Sequence, residues 1–171
     1  MRAARLDEAA RLSAIEAAAA ARFREQGLAW IAEGPPVAPH AYAILIEAGR
    51  VCVAADADDM PVGFAAWYPL DGCLYLAEMD VLPQHAGHRL GAALIGELVR
   101  IAQAAHMPAL LLTTFRNVPW NAPYYARLGF RILDANGITS ELAAEIQRQT
   151  VAGLPPQSRV AMRLDLNESL A

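Results

Sequence analysis

The chain has 171 residues, a formal charge of −4, 56% hydrophobic and 19% charged residues. This length fits one domain that buries a core without disulfides or structural metal, and the composition excludes extended disorder. An acidic balance with dispersed arginines argues against a nucleic-acid partner, which needs a basic footprint. The segment Met1 to Asp7 lacks the apolar stretch of a signal peptide, and no apolar run reaches spanning length, so a cytoplasmic protein with no membrane partner is expected. Cys52 and Cys73 lie at neither metal nor redox spacing and are expected as buried or half-buried free thiols.

Asp7 is placed to cap a helix running from Glu8 to about Arg24, with Leu12, Ile15, Ala19 and Phe23 at helical spacing and Gly27 as its stop. Gly34 to Pro39 breaks the chain, and His40 to Glu47 reads as a second short helix or turn before Gly49. The runs 50–55 and 62–68 around the acidic turn 56–61 predict a hairpin, and a third strand, Leu74 to Val81, follows Asp71-Gly72. From Leu90, the positions Ala93, Leu94, Leu98, Ile101 and Ala105 mark one face of a helix ending at His106-Met107-Pro108. Ala109 to Thr114 is a short buried strand; Pro119 or Pro123 starts a helix that stops at Gly129; and residues 130–133 return to strand. A helix near Ser140 to Thr150 and a strand from Arg159 to Leu166 close the chain. This alternation predicts an α/β layer sandwich, its central strands between helices, in a single domain over residues 1–171.

The segment from Val81 to Leu94 (VLPQHAGHRLGAAL) reads as strand, tight turn and helix, and the helix opens with small residues. Unpaired N–H groups and the positive end of the helix dipole at such a start bind a pyrophosphate without a lysine. The bland reading is a tight strand-to-helix connection around Gly87 and Gly91. No lysine followed by Ser or Thr is present for a P-loop, and the glycine spacing is not that of a dinucleotide fingerprint. Glu78 and Asp80, two apart on the incoming strand, project from one face. His85 and His88 flank the turn, with no third ligand at zinc spacing, and His40 and His106 sit in connections; no metal is expected.

A second segment, Asn117 to Phe130 (NVPWNAPYYARLGF), places Asn121 before a helix that ends in Tyr125-Ala-Arg-Leu128-Gly129-Phe130. Together the two segments resemble the acyl-CoA-binding motifs of the GNAT family of N-acetyltransferases, over Cys73 to Leu133. The resemblance implies a three-layer α/β/α fold whose mixed central sheet splays near the cofactor. The family's pattern Q/R-x-x-G-x-G/A falls on Ala86, Gly87, His88, Arg89, Leu90 and Gly91, with Ala86 replacing Gln or Arg and Arg89 replacing the middle glycine. The contacts at issue come from backbone N–H groups and survive these changes if the dihedrals stay helical, and Arg89 would add charge attraction.

The resemblance further implies acetyl-CoA as co-substrate, its pantetheine along the strand through Val81 and Leu82, its pyrophosphate on the turn from Ala86 and Gly87 to Ala92, and Asn121 touching the thioester region. Tyr125 would protonate the departing thiolate, with Tyr124 as its substitute if the register is off by one; the bland reading is a core aromatic. Glu78, with Asp80 or an ordered water as alternative, would accept the amine proton; the bland reading is a solvated strand-end acid. Trp120 would line the acceptor pocket or serve as a hydrophobic anchor.

The implied reaction is direct acetyl transfer to a primary amine in a ternary complex, the acceptor being a small molecule or a protein. The stretches 24–48 and 134–157, which determine acceptors in this family, carry no decodable motif. A different class remains open, a CoA-binding sensor or interaction module without transfer, motivated by Ala86 and Arg89. Acetylation of a nucleic-acid amine is disfavoured by charge. The strand from Arg159 to Leu166 could be a homodimer edge or an ordinary terminal strand.

Overall fold

Two runs rich in β-branched and small apolar residues, Val51–Ala55 (β2) and Pro61–Leu70 (β3), pair antiparallel with Val53 opposite Phe64 and Cys52 opposite Ala65. In this computed structural model, which describes residues 1–166, β3 turns into Cys73–Val81 (β4) through Asp71 and Gly72 at φ 52° and 69°. Left-handed dihedrals at both positions match the right-handed twist of a two-residue hairpin. β4 pairs in parallel with Ala109–Phe115 (β5), which pairs antiparallel with Arg159–Asp165 (β7); Arg131–Ile132 (β6) joins β7, and Arg2–Ala3 (β1) joins β2. The result is an open, mixed, seven-stranded sheet of order β1-β2-β3-β4-β5-β7-β6.

A parallel pair needs a crossover, supplied here by the helix Leu90–Ala104 (α4). The β4–β5 ladder covers Leu74–Leu76 against Leu110–Leu112, whereas β4 runs on to Val81 and β5 to Phe115. Pairing this short is what a splayed sheet requires.

The chain divides into two compact units, Met1–Trp67 with Glu78–Glu97, and Tyr68–Ala77 with the chain from Leu98 onward. In the first unit, Ala9–Ala20 (α1) buries Leu12, Ile15 and Ala19. Its start departs from expectation: Asp7 makes no cap. Instead Leu6–Glu8 form a 3-10 turn, and the buried Glu8 carboxylate accepts from the Arg5 amide at 2.8 Å and from the Arg2 guanidinium at 2.6 Å. A carboxylate satisfied by several donors out of water outcompetes an exposed aspartate for the same end. The helix tightens to 3-10 geometry over Ala21–Gln26 and stops at Gly27, φ 72°.

Two elements escaped the sequence reading, the short helix Ala29–Glu33 (α2) and the two-residue strand β1. The second predicted helix is Pro39–Glu47 (α3), opened by the proline and burying Tyr42. The buried positions of α4 are Leu94, Ile95, Leu98 and Ala102, while Ala93 and Ala105 are exposed. Alanines alone carry too little apolar area to orient a helix, so the branched residues set its buried stripe.

In the second unit, Cys73, Tyr75, Ala109, Leu111 and Ala161 form a cluster with Leu142 of the helix Ser140–Val151 (α6). The alternate residues Leu74, Leu76, Leu110 and Leu112 are also buried, so the central strands are covered on both faces. The helix Ala122–Arg127 (α5) carries Pro123 in its first turn, and the chain leaves it through Gly129 at φ 94°, where a Cβ would lie 3.2 Å from Leu164. Cys52 and Cys73 are buried free thiols, as expected. Among the described residues no helix is long and apolar enough to cross a membrane. The last five positions of the expected single domain, 167–171, lie outside the described residues.

Candidate active site

The strand β4 ends at Val81, and one 3-10 turn, Pro83–His85, leads through an exposed loop into α4. The Leu82 amide donates to Val62 O of β3 at 2.9 Å, and the Ala86 amide to Pro83 O at 3.1 Å, so both are spent on building the turn. Gly87 takes φ 84° and Arg89 φ 60°, and α4 begins immediately after. The motif's middle position is therefore left-handed here, not helical, which is the physical reason a glycine suits it; an arginine there costs about 1–2 kcal/mol. The Ala93 amide is paired with Arg89 O at 3.0 Å. By helix geometry the amides of Leu90, Gly91 and Ala92 have no intrahelical acceptor. The turn is exposed, so these N–H groups and the helix dipole are presented to an anion.

His88 Nδ1 lies 3.2 Å from His85 O, so the two histidines brace the loop. Among the described residues no group of His, Cys, Asp and Glu could hold a metal.

On the strand leading into the turn, Glu78 and Asp80 share a face. The Asp80 Oδ2 is shut off from solvent and has no hydrogen-bond partner among the described residues. Burial, followed by repulsion from Glu78 and Glu16, holds the Asp80 carboxyl well above the usual carboxylate range, with Arg22 opposing weakly. Gly63 of β3 makes this approach possible: a Cβ there would meet Asp80 O and Val81 Cγ2, each at 3.0 Å.

The sequence reading missed two further residues of this unit, Glu16 and Tyr42, whose ionisation is linked to that of this pair. Glu16 on α1 accepts from the Tyr42 hydroxyl at 2.8 Å and from the Val37 amide at 3.0 Å. Burial raises the Glu16 carboxyl as well, and the Tyr42 hydroxyl is pushed up by burial and then by Glu78 and Glu16. Tyr42 is held edge-on against Phe64 of β3, ring centroids 5.2 Å apart. Periodicity marked Leu12, Ile15 and Ala19 and passed over Glu16. A signal was nonetheless present: an acid next to an apolar stripe, facing a tyrosine on the next helix.

In the second unit, Asn121 precedes α5 as expected, and its backbone carbonyl accepts the amides of Tyr124 at 2.8 Å and Tyr125 at 3.0 Å. Its side-chain Oδ1 is turned to β5, taking the Thr114 hydroxyl at 2.6 Å and the Phe115 amide at 3.4 Å. Tyr125 is buried, edge-on to Phe130 at 5.6 Å and to Tyr124 at 5.7 Å. Tyr124 is less buried and lies under the Arg127 guanidinium, 5.7 Å from its ring centre.

The same unit holds a second missed network. The Tyr75 hydroxyl meets Thr113 Oγ1 at 2.7 Å and receives Gln149 Nε2 at 2.9 Å, while Arg159 donates to Gln149 Oε1 at 2.9 Å. Its members come from β4, β5, α6 and β7, and no spacing in the sequence links them.

The Acetyltransferase (GNAT) family profile matches residues 14–130, spanning both motifs and the acidic pair. Among solved structures, Rv2747 from Mycobacterium tuberculosis, crystallised with CoA, is similar at 18% identity and TM-score 0.71, covering 97% of this chain and 98% of that one. The ribosomal-protein-S18-alanine N-acetyltransferase from Escherichia coli is similar at 16% identity and TM-score 0.63, covering 99% and 96%. N-acetylglutamate synthase from Neisseria gonorrhoeae, complexed with coenzyme A and N-acetyl-glutamate, is similar at 15% identity and TM-score 0.72, covering 98% of this chain but 35% of that one. The strand, turn and helix architecture, the two motifs and the match over more than half its length lead to one conclusion: the chain belongs to the acetyltransferase (GNAT) family.

Proposed function

We propose that the protein transfers an acetyl group from acetyl-CoA to a primary amine by direct attack. The observation that carries this reading is the exposed start of α4, with unspent amides directly after a strand that bears Glu78 and Asp80, within a chain of this family. The pyrophosphate would rest on the N–H groups from Gly87 to Ala92, Arg89 adding its charge. Leu82 and Ala86, whose amides are engaged, would contribute packing. The pantetheine would pair with β4 up to Val81 like an added strand, and Asn121 would offer its side-chain amide.

In the reaction the amine nitrogen bonds to the thioester carbon and the carbon–sulfur pair returns to sulfur. A free alkyl ammonium has a pKa of about 10.4, so one proton leaves before attack and a second as the amide forms. Glu78 accepts the proton shed by the attacking nitrogen, with Asp80 beside it. Tyr125 donates to the departing sulfur; a thiol of pKa about 8.5 against about 10 for a tyrosine makes this stabilisation of developing charge more than strong acid catalysis. The products are an N-acetyl amide and the free thiol of CoA. The names of structural relatives include acceptors as different as glutamate and a ribosomal-protein alanine, so the acceptor here is a small-molecule or protein amine. No metal takes part in this reading.

The test is thiol release from acetyl-CoA across an amine panel, with Tyr125→Phe and Glu78→Gln beside the parent and calorimetry for acetyl-CoA binding. Amine-dependent release, lowered in both variants with binding retained, is the expected result. Tight binding without amine-dependent release would turn the reading toward a CoA sensor, and no binding heat in folded protein would overturn both.

A further inference from the structure

The ladder between β4 and β5 ends while both strands continue. Its last paired residues are Leu76 and Leu112, yet β4 runs on to Val81 and β5 to Phe115. Loss of strand geometry is therefore not what ends the pairing. On β5, Pro108 O accepts the Leu166 amide at 2.9 Å and the Arg116 amide donates to Ser158 O at 2.8 Å, so the even-numbered residues turn their backbone groups to the β7 side. By alternation, Leu111, Thr113 and Phe115 turn theirs to the β4 side. Thr113 O is the first acceptor on that side past the last rung, and it is occupied: Arg159 Nη2 donates to it at 3.2 Å. The next donor along, the Phe115 amide, is held by Asn121 Oδ1 at 3.4 Å.

The buried network around Tyr75 is what aims Arg159. The Thr113 hydroxyl donates to Gln149 Oε1 at 2.8 Å, Gln149 Nε2 donates to the Tyr75 hydroxyl at 2.9 Å, and that hydroxyl closes the ring 2.7 Å from Thr113 Oγ1. Gln149 Nε2 is fixed in turn by Glu145 Oε1 at 2.7 Å. Arg159 Nη2 bonds Gln149 Oε1 at 2.9 Å, and its guanidinium carbon lies 4.8 Å from the centre of the Phe115 ring. All of these residues belong to the second unit.

We propose that Arg159 and Asn121 are positioning residues that stop the β4–β5 ladder by occupying the edge of β5, so that the pantetheine amides of acetyl-CoA meet β4 without competition from β5. An unpaired strand edge is a template for further pairing. With Thr113 O uncapped, β5 would add a rung to β4, and the arm would have to break it. The identity of the ligand rests on the acetyl-transfer reading; the stop in the ladder does not.

The test combines acetyl-CoA calorimetry, the division of the effect between KM and kcat, and amide hydrogen exchange over residues 77–81 of the ligand-free chain. Arg159→Met removes the guanidinium and keeps an apolar stem. It should weaken acetyl-CoA binding about three- to tenfold, the worth of one net hydrogen bond, raise KM for acetyl-CoA with kcat little changed, and slow exchange over 77–81 as the ladder lengthens. Arg159→Lys keeps a donor for Thr113 O and should restore most of the affinity. Gln149→Met loosens the aim of Arg159 and should act in the same direction by less, and it serves if Arg159→Met does not fold. A merely structural role would lower the melting temperature with affinity and exchange at their parental values, and that result in folded variant overturns the proposal. If the parent binds no acetyl-CoA, the acetyl-transfer reading falls, and exchange over 77–81 still decides whether Arg159 stops the ladder.

Discussion

Two groups of acids in the first unit have met opposite electrostatic fates. At the N-terminus, Glu8 and Asp59 are gripped by Arg2 and Arg5 at 2.6–3.0 Å, and hydrogen bonds from those guanidiniums hold both carboxyls below their ordinary range. On β4, Asp80 is raised by burial and by the acids around it. The fold plainly has arginines to spend, and it spends them on fastening β1 to the turn after β2. Leaving Asp80 Oδ2 buried without a hydrogen-bond partner costs stability, and a raised acid just before the turn into α4 is what the proposed function would use, whereas the paired group serves architecture.

The largest effect that could break this contrast is kinetic. Glu78→Gln should cut amine-dependent turnover by about 10²–10⁴-fold while the melting temperature changes little. Glu8→Gln should do the reverse, leaving turnover intact and costing about 2 kcal/mol in denaturant unfolding, since charge-assisted bonds to a buried carboxylate are lost. Equal effects of the two substitutions on both readouts would abolish the distinction.

Next comes Gly63→Ala, where the added methyl meets Asp80 O at 3.0 Å. It should cost about 1–3 kcal/mol by overpacking and displace the end of β4, lowering turnover along with stability.

A smaller effect sharpens the comparison through pH. A carboxyl whose folded pKa is raised makes its full contribution below the unfolded value, near 3.9 for aspartate, and loses it as pH rises through the folded value. Asp80→Asn should therefore stabilise the protein in neutral and basic solution, and the gain in melting temperature should be greater at pH 8 than at pH 5. For Glu8 and Asp59 the sign inverts: their lowered values make stability present above the unfolded pKa and lost as pH falls through the folded one. Salt-free melts of the parent between pH 5 and pH 2 should show this loss, diminished in Glu8→Gln.

The smallest effect is at the turn. Arg89→Gly relieves a left-handed arginine while raising the entropy of the unfolded chain, for a net change within about 1 kcal/mol, and calorimetry should show acetyl-CoA affinity falling only several-fold as the charge is lost.

Local signals carried much of this molecule. The strand-like runs 50–55 and 62–68, the Asp71-Gly72 turn, the stop at Gly27 and the proline at the start of α5 each declare themselves over a few residues, and the structure has them within two residues of where the sequence predicts. The turn before α4 and the Asn121–Tyr125 segment were legible for the same reason, being contiguous motifs whose chemistry depends on backbone dihedrals set by neighbours.

What could not be read was everything that needs distant residues to meet. Asp7 looked like a cap because capping is local, and it lost to Glu8 because Arg2 and Arg5 converge there. The stripe of α4 was shifted because only packing ranks an isoleucine above an alanine. Glu16 and Tyr42 stand 26 positions apart and touch at 2.8 Å, while the Tyr75–Thr113–Gln149–Arg159 network draws on four elements. The amino-acid order alone determined the longer strands and helices, which follow from apolar runs, periodicity and turn chemistry, and the family, which follows from two contiguous motifs. Tertiary structure alone decided which carboxyls are held ionised by arginines and which is buried and pushed toward its protonated form, because burial and the distance between charges exist only once the chain has folded.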